Sequence, residues 1–305
     1  MAKEPAHRSC HPISLASADG RVRADIVPEL GGIVSSLILP GPDGLPRECL
    51  YRHDWFWEPG TEHTRGGIPL LFPICGRLLK NDSPGLYHIK DSPFHLPIHG
   101  FAMRLPWEVR DFRSPDALRL RLVDSAATRA MYPFSFELDL DFRVSVAGLS
   151  CELTVHNPGD APLPYTAGFH PYFATPPPGA GKEQTHFEAA ARARLLYNET
   201  KTDVLGSAPP PAFPRTIVGD DINGLLLDAA GHGDSRLRFP DGFQIRQTAS
   251  ALFRYRQFYT LPNEPFFCDE PWMAPPGSLN RPGAARLLAP GQSDFATLHI
   301  AATPA

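Results

Sequence analysis

The sequence predicts an all-β fold: a large, twisted, mostly antiparallel β-sandwich, formed as one domain over residues 1–305. Three observations predict it. Apolar residues alternate with polar ones at period two in several separate runs. No stretch of ten or more residues holds a 3.6-residue apolar period. Proline is abundant, at 35 residues, and forms clusters at 176–178, 209–214 and 271–282, which exclude helix interiors and central strands and read as stiff connections.

The elements follow in chain order. Ala24-Asp25-Ile26-Val27 and Ile33-Val34-Ser35-Ser36-Leu37-Ile38-Leu39 read as two strands around Gly31-Gly32. Leu118, Leu120 and Leu122 alternate with Arg119 and Arg121. Phe134, Phe136, Leu138, Leu140, Phe142, Val144 and Val146 keep the alternation for thirteen residues, and Leu149, Cys151, Leu153 and Val155 repeat it. Asn157-Pro158-Gly159-Asp160 breaks this ladder. Leu237 and Phe239, then Pro240-Asp241-Gly242, then Phe243 and Ile245 predict a hairpin. Long loops on this scaffold are the expected carriers of chemistry.

Composition narrows the function. Hydrophobic residues are 42% and charged residues 20%, as in a soluble protein with a substantial core. A net charge of -4 gives no sign of a nucleic-acid partner or a polybasic membrane surface. No apolar run suggests a secretory signal or a membrane span, so a cytoplasmic location is expected. The five cysteines (10, 49, 75, 151 and 268) lack a CxxC pair, which predicts reduced, mostly buried thiols and no zinc site. His53, His63, His88, His95, His156 and His186 share no metal-ligand spacing. Gly66-Gly67 lacks the pattern of a phosphate loop.

Three titratable residues stand in unusual surroundings. His99 lies in Leu96-Pro97-Ile98-His99-Gly100-Phe101-Ala102, His170 in Ala167-Gly168-Phe169-His170-Pro171-Tyr172-Phe173, and Glu270 in Cys268-Asp269-Glu270-Pro271-Trp272. A carboxylate with two imidazoles can perform paired acid and base chemistry near neutral pH. If the last segment is a strand, Asp269 and Glu270 point to opposite faces and only one can face a cleft.

A fourth stretch, Arg65-Gly66-Gly67-Ile68-Pro69-Leu70-Leu71-Phe72-Pro73-Ile74-Cys75-Gly76-Arg77-Leu78, completes an ordered set. With the turns Pro28-Glu29-Leu30-Gly31-Gly32 and Leu288-Ala289-Pro290-Gly291-Gln292, it resembles the galactose mutarotase (aldose 1-epimerase) superfamily. The likeness leans towards its bacterial mutarotase-like and hexose-6-phosphate epimerase-like branches. The resemblance implies the galactose mutarotase-like supersandwich and interconversion of the α and β anomers of an aldose or aldose phosphate. It implies Glu270 as base, His170 as the acid at the ring oxygen, and His99 as a supporting donor. Arg77 and Arg65 match substrate-contacting arginines, and Asp221, with Asp220 as its rival, looks like a sugar-hydroxyl ligand. Trp272, Tyr172, Phe72 and Phe101 are candidate cleft walls. Met103 stands where related sequences often have arginine, and Arg104, one residue later, is a further candidate substrate contact.

Ring opening removes a proton from the anomeric hydroxyl and adds one to the ring oxygen, so no redox cofactor or metal is needed. The expected partner is a small sugar or sugar phosphate, and the oligomeric state is left open, a monomer included. Two rivals stand beside this reading. One is a non-catalytic carbohydrate-binding or sensing protein on the same fold. The other is a polysaccharide lyase or hydrolase, less well matched by one carboxylate and two histidines.

Overall fold

The protein is described by a computed structural model that covers residues 10–58, 65–229 and 233–303. Its centre is the hairpin of Glu137–Ser145 and Gly148–His156, paired without a slip from Glu137↔His156 to Ser145↔Gly148. Alternation explains it. Leu138, Leu140, Phe142 and Val144 are buried on one face. On the other, Asp139 and Asp141 meet Arg121 and Arg119 of the neighbouring Ala117–Val123 strand. The predicted run is longer than the strand. Val146 lies in the turn and is 68% exposed, while Phe136 precedes the strand and is buried.

Nine strands form the sheet around this hairpin, ordered from Glu108–Ser114 at one edge to Arg215–Thr216 at the other. The predicted hairpin at Pro240-Asp241-Gly242 is present as Gly233–Arg238 paired with Gln244–Ala249. The single α-helix among the described residues, Ala126–Met131, has only six residues and is closed at its start by a Ser125–Thr128 capping box.

A second sheet of eight strands, seven along its main path and one beside it, lies against the first. Its middle is Ala193–Tyr197, Leu225–Asp228, Tyr255–Tyr259, Phe266–Trp272 and Gly168–Phe169 in that order. Phe169, Leu225, Leu227, Phe258 and Phe267 join the same core as Leu140, Phe142, Leu153 and Ile300 of the nine-stranded sheet. The result is an antiparallel β-sandwich. Alternation turns the intervening residues of the second sheet away from that core, and this outward face builds the site.

Two local features bear on the site. The first two predicted strands are Arg23–Val27 and Ile33–Pro40, joined through a 3-10 turn, Pro28–Leu30. Gly31, at φ +72°, closes this turn, and a Cβ there would stand 2.3 Å from the Met103 carbonyl oxygen. Pro271 departs from the expectation for prolines, because it lies within the central strand Phe266–Trp272. On one edge, that strand pairs with Gly168–Phe169 at Trp272 and with Tyr172–Ala174 from Cys268 back to Phe266. The ladder is already interrupted between these points, so a missing N–H is tolerated there.

Cys49, Cys75, Cys151 and Cys268 are buried, and all five cysteines are free of disulfides. Among the described residues, no helix is long and apolar enough to cross a membrane.

Candidate active site

Phe266–Trp272 supplies the centre of the site. Cys268, Glu270 and Trp272 leave one face of the strand, and Phe267, Asp269 and Pro271 leave the other. Asp269 points into the sandwich. There it pairs with Arg256 and accepts a hydrogen bond from Ser235 of the opposing sheet, while Gln247 donates to its backbone carbonyl at 2.9 Å. Glu270 faces a cavity of about 380 Å³, large enough for a small ligand.

The segments predicted to carry chemistry converge on this cavity. His170 Nε2 stands 3.3 Å from Glu270 Oε2, and both side chains are buried. Trp272 donates its indole N–H to the same Oε2 at 3.1 Å. Tyr172 stacks on the His170 ring, with centroids 4.6 Å apart and planes 9° from parallel. The His99 ring stands edge-on to His170 at 5.3 Å and to Trp272 at 5.8 Å.

His99 is held by a two-point clamp. Its N–H donates to the Gly76 carbonyl at 2.8 Å, and the Gly76 N–H donates to its Nδ1 at 3.1 Å. An occupied Nδ1 lone pair fixes the neutral ring with its proton on Nε2. The clamp requires φ +63° at His99, a conformation that costs a non-glycine residue roughly 1–3 kcal/mol. Gly100 follows at φ +72°, where a Cβ would stand 2.1 Å from the Phe72 carbonyl oxygen. The glycine beside His99 therefore has a steric reason.

Burial sets the electrostatics. It pushes the Glu270 carboxyl well above the ordinary carboxylate range; the Trp272 N–H partly opposes this, and the negative charge of Asp269 adds to it. Burial also pushes the His170 imidazole down to about 3. Both directions favour the uncharged partners and suit a pair that shares one proton. Either Glu270 carries it beside a neutral His170, or its transfer across 3.3 Å makes an ion pair.

Arg65, Arg77, Tyr172 and Trp272 line the cavity, as does Met103. Other predicted residues lie elsewhere. Phe101 is packed in the core against Phe72, Tyr132 and Phe136, because its N–H donates to the Phe72 carbonyl and draws the ring inward. Phe72 is buried in the same aromatic group. Arg104 does not take over a place on the wall from Met103. The 3-10 turn Ala102–Arg104 directs them apart, and the Arg104 guanidinium reaches the Ile98 carbonyl at 3.5 Å. Asp221 is held by Arg215 at 2.8 and 2.9 Å and is not part of the cavity wall, nor is Asp220; Asn223 and Gly224 of the same turn line it instead. His63 lies outside the described residues.

A model of the aldose 1-epimerase family matches residues 15–300. The chain belongs to this family. LacX from Lactococcus lactis subsp. lactis is 28% identical over 191 residues, 61% of this chain and 56% of that protein. The chain thus aligns with little more than half the length of this curated relative. An Escherichia coli (strain K12) protein provisionally named glucose-6-phosphate 1-epimerase is 30% identical over 112 residues, 36% of this chain and 32% of its own. A solved structure from Synechocystis sp. PCC 6803 superposes with a TM-score of 0.81 at 25% identity and covers 100% of both chains.

Several wall residues of this aldose 1-epimerase family member were not signalled by its motifs. Gln257 sits directly across from Glu270 and accepts a hydrogen bond from the Tyr197 hydroxyl at 2.6 Å. Lys201 sits on a tight turn at φ +54°, held by the Asn198 side chain, and donates to the Asn223 carbonyl at 3.1 Å. Its only sequence signal was the polar run from Asn198 to Asp203, which reads as an ordinary Asx turn.

Proposed function

We propose that the protein is an aldose 1-epimerase, an isomerase that opens and recloses the ring of an aldose or aldose phosphate. The observation that carries this reading is the buried Glu270–His170 pair, 3.3 Å apart on the wall of a sugar-sized cavity. Glu270, as carboxylate, takes the proton of the C1 hydroxyl. His170, as imidazolium, gives its proton to the ring oxygen as the C1–O bond breaks. Rotation about C1–C2 presents the other carbonyl face, and the two groups exchange roles on closing. The pair begins and ends each cycle with one proton.

The pair reaches its reactive form by internal proton transfer. Without a sugar, burial favours the neutral partners. Sugar hydroxyls entering the cavity replace water with fixed polar contacts and favour the charged form. His99, with its proton on Nε2, adds a donor on the same side, and Tyr172 and Trp272 give apolar surface for the sugar's C–H faces. Arg65, Arg77 and Lys201 form a basic edge; burial and then the charge of Arg77 lower the Lys201 ammonium below its ordinary value. Such an edge suits an anionic substituent on the aldose.

The test is polarimetry and anomeric NMR on fresh α-glucose, α-galactose and glucose 6-phosphate. Accelerated anomer exchange with at least one is expected, and preference for the phosphate would assign the basic edge to it. Saturable sugar binding without exchange would instead mark a carbohydrate-binding protein.

A further inference from the structure

Three side chains of the kind that bind soft divalent cations meet at the cavity: His170 and Glu270 on its wall, and Cys268 buried behind them. Cys268 and Glu270 project from the same face of their strand, two residues apart. Tyr172 pairs across from Cys268, which brings His170 alongside both. The ligand atoms of His170, Cys268 and Glu270 all lie within 4.8 Å of one another, and all three residues are buried. This is the one such group of His, Cys, Asp or Glu among the described residues. Sequence spacing gave no sign of it, because the ligands come from one strand and from a connection between strands about a hundred residues earlier rather than from a CxxC unit.

The donor set is chemically coherent. Thiolate, imidazole and carboxylate each bind zinc, at about 2.0–2.3 Å, and three protein ligands with a fourth open position is a common zinc arrangement. Ligands at those distances around a tetrahedral ion stand roughly 3.3–3.8 Å apart. The His170 Nε2 to Glu270 Oε2 separation of 3.3 Å already matches. Cys268 needs a shift of at most about an ångström, on the scale of a rotamer adjustment. The imidazole and carboxylate can both ligate once the proton they share has left. His170 and Glu270 line the cavity, so an ion has a route in and the open position faces the sugar's space. The charges around Cys268 are mixed, with Glu270 and Asp269 attracting a dication and Lys182 and Arg65 repelling it.

We propose that His170, Cys268 and Glu270 form a three-ligand site for a thiophilic divalent cation, zinc above all, and that its occupation switches the active site off. On binding, the Cys268 thiol and the Glu270–His170 pair each release one proton to solvent, bonds from sulfur, nitrogen and oxygen to the metal form, and water leaves the ion. The ion then occupies the lone pairs of the two groups assigned to proton transfer. Magnesium and calcium, which prefer oxygen ligands, are poorly held by a thiolate and an imidazole and leave the site active. The inhibitory part rests on the epimerase reading, whereas the metal site does not.

Cobalt(II) titration of the whole chain tests the site directly. One equivalent should produce thiolate-to-cobalt charge-transfer absorption, lost in Cys268→Ser and in Cys268→Ala, the second variant guarding against a folding defect in either. Zinc should slow anomer exchange, reversibly on chelation, while magnesium has no effect. The Cys268 variants should keep the basal rate and need more than about 100-fold more zinc, since losing even an outer partner of a metal ligand costs roughly 10–100-fold in affinity. Absence of the thiolate band in the unmodified protein, an unchanged band in both variants, or equal zinc sensitivity in the variants would overturn the proposal. Cobalt binding without any anomer exchange would uphold the site and remove the epimerase reading.

Discussion

Asp269 and Glu270 are adjacent carboxylates on one strand, both almost fully buried, and their surroundings are opposite. Asp269 points into the sandwich, where Arg256 neutralises it and Ser235 donates to it across the sheets. Glu270 points into the cavity, where its ion-pairing partner is a histidine that burial itself drives towards neutrality. A buried carboxylate matched by a guanidinium is a fixed structural tie. A buried carboxylate matched only by another titratable group is left able to gain or lose a proton. One residue of strand alternation separates the two roles.

The contrast can be broken from the structural side. Arg256→Ala strands the Asp269 charge in the interior and should lower the unfolding free energy by about 3–5 kcal/mol, measured by urea denaturation. A loss within the range of about 0–1 kcal/mol typical of exposed pairs would show that Asp269 is not held as described.

A smaller effect is expected on the other face, with opposite sign. The raised Glu270 carboxyl keeps its proton in the folded chain above pH 4.5, where the unfolded chain has released it. Its stabilising contribution is therefore present below that pH and is lost as pH rises through the raised folded value. Glu270→Gln has no such proton to lose. Its stability relative to the unmodified protein should grow with pH, by up to about 1.4 kcal/mol per pH unit, until Glu270 ionises in the folded chain. Thermal melts from pH 4.5 upward check this, and a variant that loses relative stability with rising pH would contradict the assignment. The smallest effect concerns His99. His99→Ala removes one neutral donor and should reduce kcat/KM by about tenfold, near the upper end of a net hydrogen bond's roughly 0.5–1.5 kcal/mol.

Strand alternation made much of this readable from sequence. It marked the hairpins, and it showed that only one of Asp269 and Glu270 could face a cleft. The ordered motifs named His99, His170, Arg65 and Arg77, all of which stand on the cavity wall. Other assignments failed because a motif does not say which way a side chain turns. Phe101 follows a left-handed glycine that directs its ring into the core, and Asp221 is captured by Arg215, six residues away. Lys201 and Gln257 were invisible because a polar turn and a glutamine in a strand carry no distinctive pattern. Cys268 was judged by its spacing from other cysteines, whereas its relevant neighbours are a histidine and a glutamate brought in by sheet pairing.

The most direct test is NMR magnetisation transfer between the two anomeric signals of an accepted sugar, with unmodified protein, Glu270→Gln and His170→Asn compared at equal concentration. The account predicts transfer with the unmodified protein and a loss on the order of 10²–10⁴-fold in each variant, with the fold intact. Undiminished transfer with Glu270→Gln would contradict it.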